Sequence, residues 1–204
     1  LSLRRQRQMC IRDRSSTVTD PVPAATAAPA EVTPRATTPR VVLVGPPGSG
    51  KSTIGRRLAR ALNCELVDSD VLIEQSYGKP CGVLFEELGE PAFRELEATH
   101  VAQALATDGV VSLGGGAVVT ASTRDLLADL TVIHLDVSAE EGVRRTSGEA
   151  SRPILRADDP VEHYRTLLEN RREFYREVAN VRVRTDGRTP QQSVGDILGV
   201  IESL

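Results

Sequence analysis

VVLVGPPGSGKS, residues 41–52, decides how the rest of the chain is read. Val41 to Val44 is a short continuous apolar run, the form taken by a strand covered on both faces of a sheet. Gly45 to Ser52 then satisfies G-x-x-x-x-G-K-[ST] in full, and a helical pattern starts at Thr53. A phosphate-binding loop needs that setting, with a buried strand before it and a helix after it. Its glycines admit backbone angles closed to other residues, so successive N–H groups converge on phosphate oxygens at a helix N-terminus. In such a loop Gly48, Ser49, Gly50 and Thr53 belong to the cradle, Lys51 reaches the β and γ phosphates, and Ser52 ligates Mg²⁺. Lys51 and Lys79 are the chain's two lysines, against many arginines. A chain so averse to lysine that keeps one here points to a position-specific need.

Outward from this loop, apolar runs recur at residues 65–67, 110–113 and 131–136, with a weaker one at 181–184. Helical patterns fill the intervals: 53–62, 71–75, 83–88, 92–105, 123–127, 139–146, 161–178 and 190–203. Strands alternating with helices predict an α/β domain with a mainly parallel sheet. Crossovers of that kind are right-handed, and ligands gather beyond the carboxyl ends of the strands.

The totals agree with one domain of ordinary size: 204 residues, a formal charge of −3 and 40% hydrophobic residues. With no Trp, three Phe and three Tyr, the core has to be aliphatic. Three cysteines (Cys10, Cys64, Cys81) leave an odd one over and show no metal-ligand spacing, which fits a reduced, cytoplasmic compartment. No apolar run approaches the roughly 20 residues of a membrane helix. Residues 1–39 hold five of the twelve prolines and no aromatic residue, so this Pro/Ala-rich leader is expected to be disordered. Its basic start lacks an apolar h-region and does not read as a secretory signal; an amphipathic transit peptide is the minor alternative. The leader begins at Leu1 rather than Met and need not be native sequence at its start, and the fold is assigned to residues 40–204. Beyond residue 39 the chain carries nineteen basic and twenty-five acidic residues, a net of −6. Such a domain is a poor general binder of nucleic acid, which depends on phosphate neutralisation.

Other stretches carry candidate chemistry. LVDSD, residues 66–70, puts Asp68 and Asp70 where a strand turns into a helix. One carboxylate could hold a water of Mg²⁺ while the other orients or deprotonates a hydroxyl for in-line attack on a γ-phosphate. The competing reading makes Asp70 the N-cap of a helix starting at Val71. Arg94 and Glu97, three apart, share a helix face, which by itself predicts only a local ion pair. Gly114, Gly115 and Gly116 follow a buried strand and let a ligand approach the backbone closely. Residues 147–160 form a long, weakly patterned stretch with Arg152 and Arg156, the profile of a lid whose arginine could meet a transferring phosphoryl group.

Taken together, these stretches resemble the shikimate kinase family over about residues 41–200. The specific part runs from Arg94 through Glu97 and Val101 to VVSLGGGAV, residues 110–118. The resemblance implies a five-stranded parallel sheet between helices with a mobile lid, and ATP- and Mg²⁺-dependent phosphorylation of the 3-hydroxyl of shikimate on the way to chorismate and the aromatic amino acids. It assigns Asp70 to the ring hydroxyls as candidate base and Asp68 to Mg²⁺ through water. It gives Arg94 and Arg171 to the substrate carboxylate, and Gly115 with Gly116 to backbone contact. Arg152 becomes the lid arginine on the ATP phosphates, and Arg145 and Arg188 adenine-side residues. It leads to a monomer acting on small molecules, with no nucleic-acid or membrane partner. The nearest rival is another small-molecule kinase on this scaffold, for gluconate or a nucleoside monophosphate. A rival of another class is a nucleotide-binding switch or regulatory subunit without an acceptor.

Overall fold

All four residues of strand β1, Val41–Val44, are buried, and the reason is that both faces of the strand are covered. The computed structural model describes residues 37–148 and 158–203. The expected leader up to residue 36 and the centre of the expected lid lie outside the described residues. Within them β1 is joined by β2 (Leu66–Asp68), β3 (Val110–Ser112), β4 (Val132–Asp136) and β5 (Val181–Arg184) in one parallel sheet of order β2-β3-β1-β4-β5. Val42 sits opposite Val111 on one side and Val132 on the other.

Side chains alternate across the pleat, so β1 feeds two cores. Val42 and Val44 join Val111 and Leu113 beneath helices α4 (Glu90–Leu105), α5 (Ala121–Leu127) and α7 (Pro160–Val178). Val41 and Leu43 join Ile133 and Leu135 beneath α1 (Lys51–Ala61) and α8 (Pro190–Ser203), where Leu58 and Ile197 are wholly buried. Truncating a buried leucine such as Leu58 to alanine costs about 2–5 kcal/mol in this setting. Two smaller clusters serve the periphery. Ile73, Leu84 and Phe93 pack α2 (Ser69–Tyr77) and α3 (Cys81–Leu88) against α4, and Val137, Ala139 and Tyr164 pack α6 (Ala139–Thr146) against α7.

The edge strand β5 reads VRVR, with Val183 buried and the arginines outward. Charged side chains on an exposed edge oppose pairing with another chain. No helix among the described residues is long and apolar enough to cross a membrane. The carboxyl ends of β1, β2 and β3 lead into the phosphate-type loop, the acidic pair and the triple glycine, so the sheet brings together three stretches far apart in sequence.

Candidate active site

The loop after β1 has the backbone that its glycines predict. Gly45, Gly48 and Gly50 all have positive φ, and Gly50 is left-handed at the start of α1. A Cβ on Gly45 would stand 2.3 Å from the carbonyl oxygen of Leu135, so this turn is closed against β4. Lys51 Nζ donates to the carbonyls of Gly45 (2.7 Å) and Pro46 (3.0 Å), folding back over the loop. The loop is also held from outside. Tyr164 on α7 donates its hydroxyl to the Pro47 carbonyl, and Arg145 on α6 reaches the Gly48 carbonyl at 3.3 Å. Arg145 is fixed in turn by Thr185, donating to its hydroxyl at 3.0 Å and its carbonyl at 2.9 Å.

Asp68 ends β2 and caps α2: its Oδ1 accepts from the Asp70 N–H at 2.9 Å. The capping residue is therefore Asp68. The helix expected from Val71 begins two residues earlier, at Ser69, and the reading of Asp70 as the cap is corrected. Asp70 is left with its carboxyl directed at the glycine turn, since a Cβ on Gly114 would lie 2.5 Å from its Oδ1. Its pKa is pushed up to about 6, first by burial and then by the charges of Asp68 and Glu97, with Lys51 pulling the other way. The Ser69 hydroxyl accepts from the Gly114 N–H at 3.0 Å and ties the acidic turn to the glycine turn.

Arg94 is held rather than solvated. It donates to buried Glu97 at 2.7 Å and to Glu90 at 3.2 and 3.3 Å, and its Cζ lies 5.7 Å from the ring centroids of both Phe85 and Phe93. Burial raises the Glu97 pKa, and the Arg94 guanidinium opposes that rise. A Cβ on Gly116 would stand 2.4 Å from Arg94 Nη2, so only glycine leaves this guanidinium its place. Across the glycine turn, Arg171 and Tyr175 both donate to the Gly115 carbonyl, at 2.9 and 2.8 Å. Burial raises the Cys81 thiol, whose Sγ lies 3.6 Å from the Asp70 carbonyl, well above its ordinary range.

Most of these groups line one cavity of about 1200 Å³. It takes in Gly48, Gly50, Lys51, Ser52, Thr53, Asp68, Asp70, Arg94, Gly115, Gly116, Arg145 and Arg171 from the expected site. Ser49 sits behind the loop, wholly buried. Arg188 is not in the lining and pairs with Asp196, midway along α8. Arg152 lies outside the described residues. Sequence reading missed the aromatic platform, although a signal existed: all three phenylalanines of this aromatic-poor chain, Phe85, Phe93 and Phe174, line the cavity. It also missed Asn170 and Tyr175 on α7, which helical spacing alone does not separate from solvated neighbours. The arrangement can hold a polyphosphate at the loop end and a planar anion between Arg94 and Arg171. A carboxylate of raised pKa stands between them.

Comparison with known proteins bears on that division. The shikimate kinase family model matches residues 47–202. A shikimate kinase of Corynebacterium efficiens is 69% identical over 164 residues, which is 80% of this chain and 97% of that one. Among solved structures, the shikimate kinase of Acinetobacter baumannii in complex with shikimate superposes with a TM-score of 0.77 at 34% identity, over 82% of this chain and 94% of that one. A gluconokinase of Sinorhizobium meliloti shares the fold at a TM-score of 0.57 and 21% identity, over 83% of this chain and 94% of that one.

Proposed function

The chain belongs to the shikimate kinase family, and from that premise we propose that it moves the γ-phosphoryl group of ATP onto the 3-hydroxyl of shikimate, with the large cavity divided between the two substrates. Members of the family are phosphotransferases that take ATP as co-substrate. The observation that carries the division is the position of Asp70, whose carboxyl lies beside the glycine turn in the cavity shared by Lys51, Arg94 and Arg171.

The loop N–H groups and the N-terminus of α1 receive the β and γ phosphates. Lys51 leaves the carbonyls of Gly45 and Pro46 for the phosphate oxygens, an exchange of neutral acceptors for charged ones. Arg145 and Arg188 flank the adenine side, and Arg152 closes on the phosphates from a lid within residues 147–160. Arg94 and Arg171 grip the substrate carboxylate, because two guanidinium forks give a planar anion both charge and direction. The backbone of Gly115 and Gly116 borders the ring. Asp70 accepts from the 3-hydroxyl and takes or shares its proton as the oxygen attacks in line. The developing charge is met by Lys51 and Arg152, so catalysis is mostly positioning and preorganised electrostatics.

The chain's residues fit a magnesium ion held largely by the nucleotide. Ser52 and Asp68 offer hard oxygen donors on the cavity wall, and the described residues hold no cluster of three or more His, Cys, Asp or Glu able to cage a metal. Ser52 would bind the ion directly and Asp68 through water; the ion would neutralise charge on the phosphates. Both halves of the described site come from one chain, which supports action as a monomer.

The test is ADP release with Mg-ATP and one acceptor at a time: shikimate, gluconate, AMP or none. Release with shikimate alone supports the proposal. Release with gluconate or AMP keeps a kinase and discards the acceptor site, and release without acceptor discards both.

A further inference from the structure

Arg124, on α5, does not line the cavity but holds two of its walls. Its Nη1 donates to two carbonyls at once, those of Val118 and Val119, each at 2.9 Å. Both belong to the single 3₁₀ turn Ala117–Val119, which continues the triple glycine: the Ala117 N–H bonds the Gly114 carbonyl and the Val119 N–H that of Gly116, each at 3.0 Å. Carbonyls at the end of a helical turn find no partner within it, and a cation there supplies both donors and charge. On its other side the guanidinium lies over the Phe174 ring of α7, 4.4 Å from the centroid, and its Nε stands 3.0 Å from Glu177 Oε2. Arg171, Phe174 and Glu177 follow one another at intervals of three, so Arg124 grips α7 one turn beyond Arg171.

The Arg124 side chain is 15% exposed, which makes it a packed part of the wall rather than a solvated cation. The pair with half-exposed Glu177 contributes little by itself. What distinguishes the position is one planar group that meets two carbonyls and an aromatic face together, a task for which an ammonium has the wrong shape. The two elements joined in this way carry the two halves of the carboxylate grip. Gly116, just before the 3₁₀ turn, lies against the Arg94 guanidinium, and Arg171 comes from α7. Val119 and Phe174, which Arg124 touches directly, both line the cavity. The inner face of α7 is seated on the sheet by Tyr175, whose ring stacks on His134 with centroids 4.4 Å apart and planes 13° from parallel. Arg124 fixes the helix on the side that faces α5.

We propose that Arg124 is a positioning residue for the acceptor site: it touches no substrate, and it sets the distance of Arg171 and Phe174 from the glycine turn that supports Arg94. The inference rests on the reading of this end of the cavity as the shikimate site. Without the clamp, α7 and the turn relax apart and the gap between the two arginines no longer matches a carboxylate. The phosphate loop is spared, because Tyr164, which holds it from α7, lies about 15 Å along the helix from Phe174.

The test is steady-state kinetics of wild type, Arg124→Gln and Arg124→Lys, with shikimate and Mg-ATP varied in turn and thermal melting alongside. Both variants should raise the KM for shikimate by about fivefold or more, with the KM for ATP and kcat changed by less than about threefold. Arg124→Lys keeps the charge and the stem, so it carries the comparison should Arg124→Gln lose its fold. A merely structural tie between α5 and α7 would lower the melting temperature and leave the KM for shikimate at its wild-type value. A wild type inactive with shikimate overturns the function and this inference with it. An active wild type overturns this inference alone if the variants keep the wild-type KM for shikimate, if lysine restores it, or if the KM for ATP rises equally.

Discussion

Asp70→Asn should make the protein more stable while removing its turnover. The Asp70 carboxyl is held at about 6 against an ordinary 3.8, first by burial and then by Asp68 and Glu97. That gap corresponds to at most about 3 kcal/mol between the two protonation states. Solvent reaching the half-buried group brings the penalty actually felt to about 1–2 kcal/mol. Because the folded pKa lies above the unfolded one, folding favours the protonated acid. The penalty is absent below the unfolded value, grows through the window from 3.8 to about 6, and is complete at neutral pH. A neutral amide of the same shape removes it, so the melting temperature at pH 7.5 should rise by about 2–8 °C for a domain of this size. The assay is thermal melting of the metal- and nucleotide-free protein, variant beside wild type, from pH 4 to 8. The difference should be small at pH 4 and reach its full value above pH 7. Turnover should fall by about 10²–10⁴, the range for loss of a positioned general base. A variant no more stable at pH 7.5, or one whose advantage ignores pH, would refute the argument that this carboxylate is strained by its neighbours.

Arg94→Ala should raise the KM for shikimate by about tenfold or more, from the loss of charge-assisted hydrogen bonds, with the KM for ATP little changed. It also strands buried Glu97, so the folded state should lose about 3 kcal/mol at neutral pH in denaturant melts. Tyr175→Phe keeps the stack on His134 but gives up the bond to the Gly115 carbonyl; stability should fall by about 1 kcal/mol and the shikimate KM should rise a few-fold, read by steady-state kinetics. Gly45→Ala meets the Leu135 carbonyl in a backbone region that disfavours a side chain, and should cost several kcal/mol, about as much as a large core truncation, measured by urea unfolding.

Much of the fold can be read from one-dimensional patterns because the patterns are physical. β1 is continuously apolar since helices cover both its faces, and α6, β5 and α8 fall on the residues their periodicity marks. Where boundaries moved, a side chain was responsible: the Asp68 cap draws the start of α2 back to Ser69, shortening the apparent interval between strand and helix. The phosphate loop is legible because its chemistry is local, eight consecutive residues supplying nearly all of it. The acceptor half is not local. Arg94 looks like any helical arginine until Glu97, Glu90 and two phenylalanines are seen around it, and Arg171 resembles its neighbour Arg172 until only one of them reaches Gly115. Resemblance to a family supplied those two positions; spacing alone did not. The His134–Tyr175 stack joins residues 41 apart and left no mark in the sequence pattern.

In the proposed reaction one cavity aims the 3-hydroxyl of shikimate at the γ-phosphate while Arg94 and Arg171 hold the carboxylate. Phosphorus and proton NMR of the product made from shikimate and Mg-ATP tests it most directly. The expected product is a single phosphate ester at the 3-position, lost together with ADP release in Asp70→Asn. Phosphate on another hydroxyl, or the same ester formed at the wild-type rate by Asp70→Asn, would contradict it.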